Sequence, residues 1–289
     1  MSDEIKINGK AIYTTKGAAK EYGRIGCNFY TGCPHNCAYC YLKRGAPSKQ
    51  LGGTEVRLKK CLASEERALE IFCDEARRHI DALQRYGIFF SFTTDPMIPE
   101  TRSLTFSALN FTMYNGIRAK VLTKDATFIT YKRMVLNMKS NTAKELVEFG
   151  FTLTGRDDME PNASCNHDRI EAMHQLHDNG FKIFASIEPV IDWQHARMVI
   201  DLSLDCCDHY KIGLRSGVRK DYYDLLSSGM NIRELTEEIV RAGRTVYLKE
   251  STRALLRRCF KEEECNRILG LTVDMDGNRI DNLKKEISA

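Results

Sequence analysis

The stretch Thr31-Gly32-Cys33-Pro34-His35-Asn36-Cys37-Ala38-Tyr39-Cys40-Tyr41 decides how the rest of the chain is read. Its cysteines stand as C-x3-C-x2-C, directly after a short mixed run, Arg24–Tyr30, that reads as a first strand. Three thiolates on one short loop can hold a four-iron cubane, because thiolate sulfur is the ligand type that iron–sulfur clusters select. One iron then has no protein ligand and is open to a small molecule. Gly32 and Pro34 allow the tight path that such a loop needs. The same residues also admit a zinc site with Cys27 or His35 as fourth ligand, since structural zinc takes four ligands. No second C-x2-C is present to complete the usual zinc ribbon.

Outside this loop the composition sets bounds. The chain has 289 residues, 43% hydrophobic and 28% charged, with 43 Lys and Arg against 39 Asp and Glu, a net charge of +4. That is a globular mixture, with enough apolar surface for a core, and it excludes a disordered chain. Six Pro and 19 Gly exclude collagen-like or low-complexity architecture. No apolar run approaches the ~18 residues that a membrane-spanning helix needs. The opening MSDEIKINGK carries no apolar signal segment, so a cytoplasmic protein is expected. Eleven cysteines, at 27, 33, 37, 40, 61, 73, 165, 206, 207, 259 and 265, are an odd number. In a reducing compartment they argue for metal binding at the tight cluster rather than for disulfides.

The dominant rhythm is strand then helix. Ser64 caps an amphipathic helix with Leu69, Phe72, Ala76, Ile80 and Leu83 on its stripe, ended by Gly87. Ile88–Phe92 then reads as a buried strand. Helices near 101–115, 126–138, 166–178, 193–204, 221–242 and 251–259 alternate with strands at Ile117–Leu122, Val147–Leu153, Phe181–Ile187, His209–Leu214 and Thr245–Leu248. Such alternation means parallel strands joined by crossovers. The expected fold is α/β, a partial or full TIM-like (βα) barrel in one domain over residues 1–270, with a tail at 271–289. In such barrels the chemistry sits at the C-terminal ends of the strands.

The cysteine loop is the signature of the radical S-adenosylmethionine (SAM) superfamily, and the chain resembles it. GCPHNCAYCYLKR, then TTDPMIPE and TR, then LTK, then SIEPVID, follow the order and spacing of the branch that includes spore photoproduct lyase, over roughly residues 22–250. The resemblance implies a 4Fe-4S cluster on Cys33, Cys37 and Cys40 whose open iron chelates SAM. It also implies reductive cleavage of SAM to a 5′-deoxyadenosyl radical that takes hydrogen from a substrate, a nucleoside or nucleic acid among the candidates. A reducing partner such as flavodoxin or ferredoxin is implied as well. By the same resemblance Tyr39 contacts the adenine, Thr94 and Lys124 hold the methionine end of SAM, and Thr93 and Asp95 lie in the segment that meets its amino group. Spore photoproduct lyase needs a cysteine near the segment matching Ser91-Phe92-Thr93-Thr94. None stands here, so thymine-dimer repair is not implied.

Residues at the other strand ends complete the candidate site. Lys124 follows the third strand as a point charge suited to a carboxylate. Thr152 and Thr154 bring hydroxyls after the fourth. Ser186 and Glu188, two apart, share one face, and Glu188 suits ribose hydroxyls. Arg215 and Ser216, then Lys249 and Glu250, are candidates for substrate contacts; Lys124, Arg215, Lys249 and Glu250 form the expected catalytic set. The basic loop Lys43–Lys60 and the run Arg253, Arg257, Arg258 read as solvated faces first, with the tracking of a phosphate backbone, in a zinc- or cluster-stabilised nucleic-acid-binding protein without catalysis, as the alternative. His174 and His177 read as surface residues, and Cys206, Cys207, Cys259 and Cys265 as small buried hydrophobes.

Overall fold

The structure, a computed structural model, describes residues 5–44, 48–219 and 221–280. Residues 45–47 of the basic loop, 281–289 of the expected tail and 1–4 of the opening lie outside the described residues. The chain separates into two compact units, Met1–Phe151 with Asp157–Lys182 and Thr152–Arg156 with Ile183–Ala289.

The first unit holds β1 (Ile12–Thr14), β2 (Ile25–Cys27), the two-residue β3 (Tyr30–Thr31) and β4 (Arg57–Leu58), β5 (Ile88–Phe90), β6 (Ala119–Thr123) and β7 (Val147–Thr152). Its main strands lie in the order β1-β2-β5-β6-β7. All pair in parallel except β1, which runs antiparallel to β2 with Ile12 opposite Cys27. β3 and β4 make a small separate ladder, Tyr30 opposite Leu58, just before and after the cysteine loop and its basic extension. The helices are α1 (Ser48–Leu51), α2 (Glu65–Arg78), α3 (Ile80–Tyr86), α4 (Arg102–Tyr114), α5 (Lys132–Asn137), α6 (Asn141–Leu146) and α7 (Asn166–Asp178).

Local sequence explains most of these bounds. The Ser64 hydroxyl accepts the Arg67 N–H, Glu65 and Glu66 occupy the first turn of α2, and Arg77 and Arg78 the last, each matching the helix dipole. The single helix read through residue 86 is two, because the chain leaves helical geometry at His79. Gly87 ends α3 at φ 71°, where a Cβ would meet the Arg118 carbonyl at 2.9 Å, so only glycine fits. Phe72 on α2 packs against Phe29, Phe90 and Phe111, with centroids 5.6, 6.1 and 5.9 Å away. Burying each such ring contributes about 1.5–3 kcal/mol.

The second unit carries β8 (Lys182–Val190), β9 (His209–Leu214) and β10 (Thr245–Leu248), all parallel, with α8 (Trp193–Asp201), α9 (Leu225–Arg241), α10 (Glu250–Cys259) and α11 (Glu262–Gly270). Asp192 and Asp224 cap α8 and α9 through the N–H groups of His195 and Ser227. Ile232, Leu235 and Ile239 bury one face of α9. Gly229 lets α10 approach, since a Cβ there would lie 2.7 Å from that of Cys259. α11 was not expected. Three glutamates in its first turn and buried Cys265 and Ile268 explain it after the fact.

Candidate functional site

The cysteine loop is shaped by its backbone. Gly32 has φ 79°, and a Cβ there would come within 2.0 Å of the Glu55 carbonyl, so the first turn of the motif requires glycine. Cys33 N–H donates to the Gly53 carbonyl at 2.9 Å. Asn36 takes the left-handed conformation at φ 53°, one that asparagine tolerates, and its carbonyl accepts from Lys43 Nζ at 2.8 Å.

A segment more than a hundred residues downstream braces this loop. Ala38 N–H donates to the Met159 carbonyl at 2.9 Å and Asn162 Nδ2 to the Pro34 carbonyl at 2.9 Å. The Tyr39 hydroxyl donates to Glu160 Oε1. Glu160 Oε2 accepts from Arg169 at 2.7 Å, both side chains being 0% exposed. Arg169 Nε also donates to the Ser164 carbonyl at 2.8 Å, and Ser164 N–H donates to the Lys124 carbonyl at 3.1 Å. Glu160, Asn162 and Arg169 were not anticipated. One signal was present: Arg169 stands on the same helical stripe as buried Met173 and Leu176, and a charge on an apolar stripe demands a buried partner.

Asp95 ties the loop to the strand ends. Its Oδ1 accepts from Met97 N–H at 2.9 Å and Thr123 Oγ1 at 2.7 Å; its Oδ2 accepts from Lys124 N–H at 2.7 Å and His35 Nε2 at 2.8 Å. Burial opposes charge on Asp95, but His35 and the Lys124 and Met97 amides outweigh it and hold the carboxyl low. The carboxylate is therefore committed to protein partners. Thr93 Oγ1 is likewise used, donating to the Tyr30 carbonyl at 2.5 Å. Thr94 differs: it is 7% exposed, and its Oγ1 has no hydrogen-bond partner. A buried unpaired hydroxyl costs about 1–3 kcal/mol, which a polar ligand group would relieve.

Lys124 lies among acids. Burial opposes its charge, but the Cys37 thiol, the Glu160 carboxylate and the Cys33 thiol raise its pKa, and its Nζ stands 5.6 Å from the Tyr39 ring centroid. Burial and the Asp95 charge push Cys33 up to about 12, partly offset by the nearby main-chain N–H groups of His35 and Asp95 and by Lys124. Burial raises Cys37 too, partly offset by Lys124. Among the described residues the sulfurs of Cys33, Cys37 and Cys40 do not gather within 4.8 Å of one another. A single tetrahedral zinc would draw its sulfurs to about 3.8 Å. A cubane gives each thiolate its own iron and spreads them more widely. Nor is His35 free as a fourth ligand, because Nδ1 meets the Asn162 carbonyl at 3.0 Å and Nε2 meets Asp95. With His35 committed, the three thiols suit a three-cysteine cluster site better than a zinc site that takes His35 as its fourth ligand.

The second unit contains a different polar cluster. Lys249, 2% exposed, donates to Glu188 Oε2 at 2.5 Å. Gly213 makes room for the pair, since a Cβ there would lie 2.8 Å from both side chains. Arg215 N–H donates to the Tyr223 hydroxyl at 2.8 Å, and its guanidinium stands 5.9 Å from the Tyr222 ring centroid. Ser186 is buried on β8. Thr152 and Thr154 are buried in this unit, Thr154 Oγ1 accepting from Arg156 N–H at 3.2 Å. Glu250 does not join them: it faces solvent and pairs with Arg257 at 2.9 Å. Ser216 is exposed. Cys206, Cys207 and Cys265 are buried and donate weakly to backbone carbonyls.

No protein-family model matches the chain, and no curated protein matches it. Solved structures do. Spore photoproduct lyase with bound AdoMet and dinucleoside spore photoproduct superposes with a TM-score of 0.59 at 13% identity, over 82% of this chain and 79% of that one. Spore photoproduct lyase complexed with dinucleoside spore photoproduct gives 0.59 at 14% identity over the same shares, 82% and 79%. SuiB of Streptococcus suis bound to S-adenosylmethionine gives 0.51 at 13% identity, over 75% of this chain and 44% of that one, so the chain spans less than half of SuiB. These likenesses establish the fold as the mostly parallel α/β, partial TIM-barrel fold of radical SAM enzymes such as spore photoproduct lyase.

Proposed function

We propose that the chain is a radical SAM enzyme, with Cys33, Cys37 and Cys40 as ligands of a 4Fe-4S cluster. The observation that carries this reading is the three-thiol loop itself, turned at Gly32 and braced by Met159–Asn162, with His35 committed to other partners. When bound there, the cluster with SAM supplies one-electron cleavage of the sulfonium and a radical able to take hydrogen from a substrate.

The chain's own residues bind and orient. Lys124 keeps its charge in a half-buried setting and suits the SAM carboxylate. The unpaired Thr94 hydroxyl suits a polar contact with the methionine end. Tyr39 and Glu160, hydrogen-bonded to each other, fix the backbone before the last cysteine, where adenine is expected. Glu188, Ser186, Thr152 and Thr154 remain candidates for the nucleoside part of SAM. Arg215 and Lys249 are candidates for substrate contacts, with Lys249 presented by its pairing with Glu188.

The substrate class to test first is a nucleoside or nucleic acid, since two structural neighbours were solved with a dinucleoside spore photoproduct. A one-electron donor such as flavodoxin or ferredoxin completes the reaction. Eleven free cysteines suit a reducing compartment such as the cytoplasm, and among the described residues no helix is long and apolar enough to cross a membrane. The test is anaerobic incubation of reconstituted protein with SAM and dithionite. It should form 5′-deoxyadenosine, and deuterium should appear in that product from a labelled nucleoside or DNA substrate. Absence of 5′-deoxyadenosine from protein that holds its cluster would overturn the reading.

A further inference from the structure

At the exit of β8 and β9, the strand ends where such barrels carry their chemistry, the second unit brings two tyrosines and an arginine together. The Tyr223 hydroxyl donates to the Val190 carbonyl at 2.5 Å and accepts the Arg215 N–H at 2.8 Å. The Tyr222 hydroxyl donates to the Ile191 carbonyl at 3.0 Å. Both hydroxyls are thus spent on main-chain groups, and they pin the rings rather than offer themselves to a ligand. The two rings meet edge to face, with centroids 4.8 Å apart and planes at 78°, and the Trp193 ring stands 6.2 Å from that of Tyr223. The Trp193 indole N–H is likewise committed, donating to Ser228 Oγ at 2.9 Å. Tyr222 nevertheless keeps 40% of its surface exposed. A ring held this firmly has already lost its freedom, so stacking on it costs little further ordering. The Arg215 guanidinium lies 5.9 Å from the Tyr222 ring centroid, and its Nε is buried with no hydrogen-bond partner. A buried donor without an acceptor is a standing cost that a ligand oxygen would relieve.

We infer that Tyr222 and Arg215 form a nucleotide site, the Tyr222 ring stacking on the base and the Arg215 guanidinium taking the phosphate. The inference rests on the reading that the substrate is a nucleoside or nucleic acid, and it narrows that class to one that carries its phosphate. Aromatic faces stack with any base, and a guanidinium meets phosphate oxygens with a planar fork of donors.

The experiment is equilibrium dialysis of cluster-loaded protein against thymidine, thymidine 5′-monophosphate and a short oligothymidylate, none of which carries the adenine of SAM. Wild type should bind the monophosphate at least about tenfold more tightly than thymidine. Arg215→Gln should abolish that preference and leave thymidine binding as it was. Tyr222→Leu should weaken all three ligands several-fold, while Tyr222→Phe, which keeps the ring, should bind them as wild type does. The emission of Trp193, the one tryptophan in the chain, checks that each variant is folded around the site. Equal binding of thymidine and its monophosphate by wild type overturns the inference, as does Arg215→Gln protein that keeps the preference or Tyr222→Leu protein that binds normally. Tighter binding of the oligothymidylate than of the monophosphate names a single strand as the ligand, and equal binding names a free nucleotide; the site stands in both cases. Protein that shows the preference yet forms no 5′-deoxyadenosine overturns the proposed function alone, and protein that forms it without the preference overturns this inference alone.

Discussion

In the cysteine loop of the first unit, charged groups are linked in a network: Glu160 joins Arg169 and Tyr39, and Asp95 joins His35, Thr123 and two main-chain amides. In the second unit, Lys249 donates to Glu188 over a glycine, the Glu188 side chain keeping 26% of its surface exposed, and Glu250 faces solvent with Arg257. The difference teaches where the two regions are rigid. A loop proposed to hold a cluster needs its three cysteines in a fixed backbone frame, and a network of buried partners supplies that preorganisation. A carboxylate a quarter exposed at a strand end, against the fully buried Glu160, is open to water and suits a group that must adapt to a substrate.

The largest expected effect breaks the network. Arg169→Ala leaves Glu160 charged, buried and without its arginine, and should lower the stability of the folded protein by about 3–5 kcal/mol. Urea denaturation midpoints measure this, and iron content should fall with it. Lys249→Met should cost less, about 1–3 kcal/mol, because Glu188 is only partly buried and can recover water. It should leave iron content unchanged. If Lys249→Met strips the iron as Arg169→Ala does, the contrast between the regions fails.

Lys124→Met sharpens the comparison at the cofactor. Iron should remain, while SAM binding by equilibrium dialysis should weaken tenfold or more, equivalent to about 1.4 kcal/mol. Unchanged SAM affinity would remove Lys124 from the site.

The pH dependence of stability should also carry the mark of the network. The Asp95 carboxyl is held low, so its contribution is present above the ordinary carboxylate value of about 3.9 and is lost as pH falls through its depressed value. Burial opposes charge on His35, but Asp95 and the Asn162 carbonyl raise it, so its contribution is complete below about 6.5 and is lost as pH rises through its raised value. Both act together between about pH 4 and 6.5. Melting temperature against pH should fall on either side of that window more steeply in wild type than in His35→Asn. The smallest effect belongs to Glu250→Ala, which should change stability by no more than about 0.5 kcal/mol, because both it and Arg257 are more than half exposed.

The motif was legible in sequence because Cys33, Cys37 and Cys40 are local, and so were the strand–helix alternation and the exact ends of β9 and β10. What positions the motif was not legible. Glu160 and Asn162 meet Tyr39 and His35 across 121 and 127 residues of chain, and no spacing encodes such a contact. Asp95 was read as a ligand of SAM from its place after β5; the strand-end position was informative, but not which neighbours would consume its oxygens. Glu250 was read as a substrate contact from its place after β10, and the first turn of α10 carries it outward instead. β1 and α6 went unread because three and six residues are too few to show a period.

The most direct test of the central claim is iron analysis with Mössbauer spectroscopy on anaerobically reconstituted protein, before and after adding SAM. About four irons per chain as one cubane, with one iron whose spectrum changes on SAM addition and all of it lost in Cys37→Ala, is the expected result. A single tightly held zinc, or a cluster blind to SAM, would contradict it.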